Sequence, residues 1–187
     1  MEMNQENAFA QDRVQGRSRA ISQPGIVATE SPLASKAGAA ILERGGNAVD
    51  AAIAAHAVMT VVAPMWNGIG GDLFAIVYDA KSGKYYGLNA SGWAPAGQSI
   101  ERLRQKGLQE VPVHGIESAT VPGAVDGWQK LLDRFGKKKL NEVLAPAIQI
   151  AEDGYPVTEW IALHFAKNAD LLRNSEAAAK TFLISDR

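Results

Sequence analysis

The 187-residue sequence contains no cysteine, which excludes disulfide frameworks, thiolate-bound zinc, iron–sulfur clusters and a thiol nucleophile. It lacks an excess of either charge as well. Nineteen basic against 20 acidic side chains leave a formal net charge of -1, without the basic footprint that phosphate neutralisation demands. No nucleic-acid partner is expected. Long apolar runs are missing too: the most apolar stretch, Ala48 to Pro64, is interrupted by Asp50 and His56 and is shorter than the roughly 20 residues a bilayer requires. It reads as a buried helix, and no membrane association is expected. The first residues carry Glu2, Glu6, Asp12, Arg13, Arg17 and Arg19 and no apolar core of signal-peptide length. Residues 1–24 therefore read as a flexible leader, residues 25–187 as one unit, and the protein as cytoplasmic.

What is present is ordinary globular composition, 47% hydrophobic and 21% charged, in a chain long enough for about one domain. Gly25 to Thr29 is rich in β-branched residues and predicts a strand. Ser31-Pro32 then marks a helix start, and Gly45-Gly46 a helix stop near Arg44. Asn47 caps a second helix, Ala48 to Val62, with Asp50 in its first turn and so few polar positions that it should be covered on every side. After Pro64 the glycine-rich loop Asn67 to Gly71 leads into Leu73 to Tyr78, a predicted buried strand. The turn Asp79 to Lys84 returns the chain along Tyr85 to Asn89 as a hairpin. A short helix follows Ser99 and closes at Gly107, and an irregular stretch with room for a short strand runs to Val121. The remainder is helical: Val125 to Phe135, Leu140 to Asp153 with Pro146 inside it, Glu159 to Leu172 and Glu176 to Leu183, with Thr158 and Ser175 as caps.

Few residues invite a chemical reading. His56, His114 and His164 stand far apart, in none of the paired spacings that put two metal ligands on one helix face. Each reads as a structural histidine, and no metal or cofactor is expected. Neither a G-x-S-x-G elbow nor an S-x-x-K pair occurs. The loop Gly68 to Gly71 precedes a strand, whereas a dinucleotide-binding loop follows one, so the glycines read as a turn that lets segments approach closely. Gly68, Gly70 and Gly71 can also line a pocket with backbone N–H donors.

Taken together, Ala28-Thr29-Glu30-Ser31-Pro32-Leu33-Ala34, Ile41 to Ala52, Asn67 to Phe74, the Asp79 to Lys84 turn, Ala94-Pro95-Ala96, Val121-Pro122-Gly123 and Leu144 to Pro156 are informative. In this order they resemble the N-terminal half of the γ-glutamyltransferase family over roughly Gly25 to Pro156. The resemblance implies an α/β fold, a helix-rich partial αββα sandwich of the N-terminal nucleophile hydrolase type. In that family one precursor cleaves itself into a large and a small subunit. The threonine freed at the start of the small subunit attacks γ-glutamyl amides such as glutathione, with its own α-amino group as base. None of Thr29, Thr60, Thr120, Thr158 or Thr181 lies in a threonine-rich cleavage motif, so no catalytic residue is carried over. The chain is expected to be inactive alone, as a large-subunit fragment whose partner is a missing C-terminal or small subunit, in cis or in trans.

One large-subunit residue of the family touches substrate, an arginine before the Ala-Pro-Ala loop that pairs with the α-carboxylate of the γ-glutamyl group. Aligning Ala94-Pro95-Ala96 puts Ser91 at that position, a hydrogen-bonding group without charge. The resemblance thus makes Asn89, Ser91 and Trp93 the substrate-binding candidates. It shifts the expected substrate from glutathione toward other small amides, as in the γ-glutamyltransferase-like branch. The competing reading is a non-catalytic helical module that binds a partner chain, with Ser91 and Trp93 as ordinary loop residues.

Overall fold

The computed structural model describes residues 19–183. Most of the expected leader, residues 1–18, lies outside the described residues, and Arg19 to Gly25 is exposed chain without regular structure. The first helix, α1 (Pro32–Glu43), begins at Ser31 with Pro32 in its first turn. It ends in a Schellman arrangement: Gly45 N–H donates to Leu42 O at 3.0 Å, Gly46 N–H to Ile41 O at 2.9 Å, and Gly45 has φ 82°. A side chain with Cβ is strained at that φ, and the chain turns straight into α2 (Ala48–Val62).

Helix α2 is the centre of the core. Asn47 Oδ1 accepts from Val49 N–H and Asp50 N–H, while Asp50 Oδ2 accepts from Asn47 N–H at 2.8 Å, a reciprocal cap on two otherwise orphaned donors. Ile53, Val58 and Val62 face α1, α4 (Ala124–Phe135) and α5 (Leu140–Asp153), where Ile41, Trp128, Leu131, Leu132 and Val143 close the cluster. Each large aliphatic side chain so buried contributes about 1.5–3 kcal/mol, which explains why a helix with almost no polar face is stable here. The expected full covering is not realised: Ala48 and Ala52 are exposed and His56 is half-buried, one line along α2. The segment that should have formed a strand beside it, Gly25 to Thr29, has no ladder partner among the described residues and runs without sheet pairing.

The hairpin forms as expected, β1 (Phe74–Asp79) antiparallel to β2 (Lys84–Asn89), with Phe74 opposite Asn89 and Asp79 opposite Lys84. Asp79 holds the turn by accepting from Lys81 N–H and from the Ser82 hydroxyl at 2.6 Å. β1 is not a buried strand. Ala75, Val77 and Leu88 pack inward, while Phe74, Ile76, Tyr78 and Tyr85 stand on the outer face with exposures of 67, 83, 55 and 74%. Only one face has a neighbour in the described chain, so the period of two shows in burial although the residues are apolar throughout.

A short α3 (Ile100–Gln105) follows its Ser99 cap, and the irregular stretch to Val121 holds a 3₁₀ turn at Ile116–Ser118 in place of a strand. Helix α5 continues through Pro146 to Gly154, where φ is 79°. The helix anticipated over Glu159 to Leu172 is broken at Asn168 into α6 (Glu159–Lys167) and α7 (Ala169–Arg173). There the Asn168 amide nitrogen donates back to His164 O at 2.8 Å and competes with regular continuation. Helix α8 (Glu176–Phe182) completes the described chain.

Candidate functional site

Three segments distant in sequence meet at the open end of the hairpin. Past the last strand pair the ladder continues for one step, Ala90 N–H to Leu73 O at 2.8 Å and Leu73 N–H to Ala90 O at 3.3 Å. Beyond it the chain folds into a local turn in which Asn89 Oδ1 accepts from Ser91 N–H at 2.9 Å. Asp72 reaches over this turn: its Oδ1 accepts from Gly92 N–H at 3.3 Å and from the Thr120 hydroxyl at 3.0 Å. Val121 N–H donates to Trp93 O at 3.0 Å, and Gly71 O accepts from both Gly123 and Ala124 N–H at 3.1 Å, seating the start of α4.

The approach is close enough to require glycine at two positions. A Cβ on Gly92 would lie 1.4 Å from Val121 O, and one on Gly123 2.1 Å from Ala90 O. The close approach read from the glycines of the 68–71 loop is therefore located elsewhere. Gly68, Gly70 and Gly71 have room for a Cβ, Gly70 with nothing within 4 Å. Of the three, Gly71 joins the cluster through its carbonyl; Gly68 closes a turn by accepting from Gly71 N–H at 3.2 Å, and Gly70 lies between them.

Asn89, Ser91 and Trp93 are thus brought together with Gly71, Asp72 and Thr120. Neither the Ser91 hydroxyl nor the Trp93 indole N–H has a partner among the described residues, and Trp93 is 87% exposed. The loop offers neutral hydrogen-bond donors beside one carboxylate, Asp72. No Lys, Arg or His takes part in these contacts, so nothing in the cluster matches a bidentate carboxylate-binding fork. Asp72, Thr120, Gly92 and Gly123 were not singled out from the sequence. Contacts such as that between Asp72 and Thr120, 48 residues apart, carry no local signal, although Asp72 lies in Asn67 to Phe74 and Gly123 in Val121-Pro122-Gly123.

No group of three or more His, Asp or Glu side chains among the described residues could hold a metal ion. The histidine nearest the core, His56, accepts from Trp128 Nε1–H through Nδ1 at 3.0 Å, with the two rings edge to face. Burial pushes its pKa below the ordinary imidazole value, against a smaller opposing effect of Asn67. It is a neutral structural acceptor, and the same geometry places its proton on Nε2.

Comparison with known proteins places this geometry in context. A family model described as gamma-glutamyltranspeptidase matches residues 34–187. The glutathione hydrolase-like YwrD proenzyme of Bacillus subtilis is 41% identical over 160 residues, covering 84% of this chain and 30% of the relative. The crystal structure of Helicobacter pylori gamma-glutamyltranspeptidase superposes with a TM-score of 0.84 at 30% identity, over 90% of this chain and 49% of that one. Cephalosporin acylase from Bacillus halodurans matches with a TM-score of 0.75 at 42% identity, over 84% of this chain and 31% of that one. The chain spans about 30% of the length of its curated relative. The helix-rich α/β arrangement is that of this structural group, as the sequence resemblance implied.

Proposed function

The chain belongs to the γ-glutamyltranspeptidase family, and from that premise we propose that it forms the N-terminal portion of the large subunit of an amidohydrolase of the N-terminal nucleophile type. One observation carries the proposal: the core is finished on one side and open on the other. The hairpin's outer face presents Phe74, Ile76, Tyr78 and Tyr85 to solvent. The line Ala48, Ala52, His56 on α2 forms the shared floor of two cavities, of about 670 and 530 Å³, one bounded by Ile26 to Glu30 and the other by β1. The two alanines of the floor and the free backbone edges on both walls suit the entry of further strands supplied by the rest of the enzyme.

In this reading the nucleophilic threonine and its α-amino base come with the small subunit, and the chain alone is inactive. Its contribution to substrate binding is the loop Asn89 to Ala96, with Gly68 to Gly71 as a neighbouring backbone wall. Ser91 and the Trp93 indole donate hydrogen bonds to a neutral acyl group, while Asp72 fixes the loop and disfavours a second carboxylate beside it. The substrate class is accordingly a small uncharged amide in preference to a γ-glutamyl compound. A second reading, a helical module that binds a partner without catalysis, draws on the finished side of the core, where α1, α2, α4 and α5 pack together with Ile161 of α6.

Hydrogen exchange distinguishes the two. With the C-terminal remainder of the Bacillus subtilis relative added in trans, the enzyme reading expects new protection at the outward amides of β1 and at Ile26 to Thr29. Protection at neither segment in a formed complex contradicts strand completion and leaves the helical module.

A further inference from the structure

Farther along α2, its C-terminal end meets the start of α1 and the chain between α5 and α6. The junction leaves a cavity of about 570 Å³, within the range of small-molecule sites. Its walls are aromatic: Trp66 beyond the α2 terminus, Trp160 in the first turn of α6, and Tyr155. Met59 and Ile161 contribute to the apolar lining. The rings are held in place. The Tyr155 hydroxyl donates to Val61 O at 3.1 Å. The His164 imidazole stands edge-on to both indoles, with centroids 4.9 Å from Trp66 and 4.7 Å from Trp160, bracing the pair without itself lining the cavity.

The charge pattern is one-sided. Glu30 is the single ionisable acid on the cavity wall; no Lys, Arg or His side chain lines it, and Glu30 takes part in none of the ion pairs among the described residues. An indole face attracts a cation through its quadrupole, and a lone carboxylate at the same opening adds a counter-charge with no competing protein cation. An anionic ligand would meet the opposite field.

We propose that this cavity binds a small organic cation, an ammonium group carrying apolar substituents, against the cavity-lining surfaces of Trp66 and Trp160 with Glu30 as counter-charge. The loop at Asn89 to Ala96 takes no part, but Glu30, Met59 and Trp66 also line the cavity of about 670 Å³ proposed above to receive further strands, so binding is tested on this chain without any added subunit, where its failure leaves the enzymatic reading untouched.

The test uses the full chain and two probes of nearly equal shape, choline and its uncharged carbon isostere 3,3-dimethylbutanol, titrated by NMR on the indole N–H resonances. The expected result is that choline shifts the Trp66 and Trp160 signals and leaves the core Trp128 signal in place, with affinity about tenfold above that of the isostere. Glu30→Gln should weaken choline severalfold and leave the isostere unchanged. Trp160→Leu, at a side chain 60% exposed and hence tolerant of replacement, should abolish the choline shifts at Trp66. Equal affinity for the two probes, choline binding that survives Trp160→Leu, or no shift at tens of millimolar choline would overturn the proposal.

Discussion

Replacing Asp50 by asparagine removes one negative charge and almost no volume, so its cost isolates what the carboxylate does. Asp50 is fully buried and has no cationic partner among the described residues; three backbone amides satisfy it. Oδ2 accepts from Asn47 N–H at 2.8 Å, and Oδ1 from Lys137 N–H at 3.0 Å and Lys138 N–H at 3.1 Å, with Lys137 also 3.1 Å from Oδ2. The side chain therefore ties the start of α2 to the link between α4 and α5. Asn47 adds to the tie by donating through its side-chain nitrogen to Phe135 O. An asparagine offers one oxygen, and whichever way the amide is turned its NH₂ faces at least one backbone N–H. Hydrogen bonds to a charged group contribute about 1.5–3 kcal/mol each. Losing one and leaving its donor unsatisfied gives an expected destabilisation of about 2–4 kcal/mol, a large part of a domain's ordinary 5–15 kcal/mol. Urea denaturation followed by far-ultraviolet circular dichroism measures it through the midpoint at constant slope. A destabilisation below about 0.5 kcal/mol would refute the view that this carboxylate joins the helices.

Gly92→Ala must move Val121 O from 1.4 Å to beyond 3.0 Å of the new Cβ, which breaks the bond from Val121 N–H to Trp93 O. Hydrogen exchange should show lost protection at Val121 with the urea midpoint little changed; retained protection there contradicts the packed three-segment site. Because burial lowers the His56 pKa, the unfolded chain binds the proton more readily, so stability should fall as pH drops through the ordinary imidazole value near 6.5. His56→Gln should flatten that part of the profile in urea midpoints taken from pH 7.5 to 5, and an unchanged slope would show that His56 is not its source.

How much was legible follows from the range of the signals. The Asn47 cap, the Gly45-Gly46 stop, the hairpin turn at Asp79 to Lys84 and the helix ends at Gly136 and Gly154 are written in neighbouring residues, and each forms where expected. Burial is not local. Phe74, Ile76 and Tyr78 read as a buried strand because strands of this composition normally have two covered faces, and here one face has no neighbour among the described residues. Gly25 to Thr29 failed as a strand for the same reason, since β-propensity without a partner makes no ladder. The loop at Asn89 to Trp93 was found through family resemblance. Its anchors at Asp72 and Thr120 were not, because a carboxylate receiving a hydroxyl from 48 residues away leaves no mark on either neighbourhood.

In the proposed function this chain completes an amide-cleaving enzyme when joined to the part that carries the nucleophile. Co-expression with the C-terminal remainder of the Bacillus subtilis relative, followed by hydrolysis of matched neutral-acyl and γ-glutamyl anilides, tests that proposal. Neither part alone should show activity. The purified complex should hydrolyse the neutral anilide faster, with Ser91→Arg shifting the preference toward the γ-glutamyl compound. A stable, correctly assembled complex that cleaves neither anilide, or one that prefers the γ-glutamyl anilide with Ser91 in place, would contradict it.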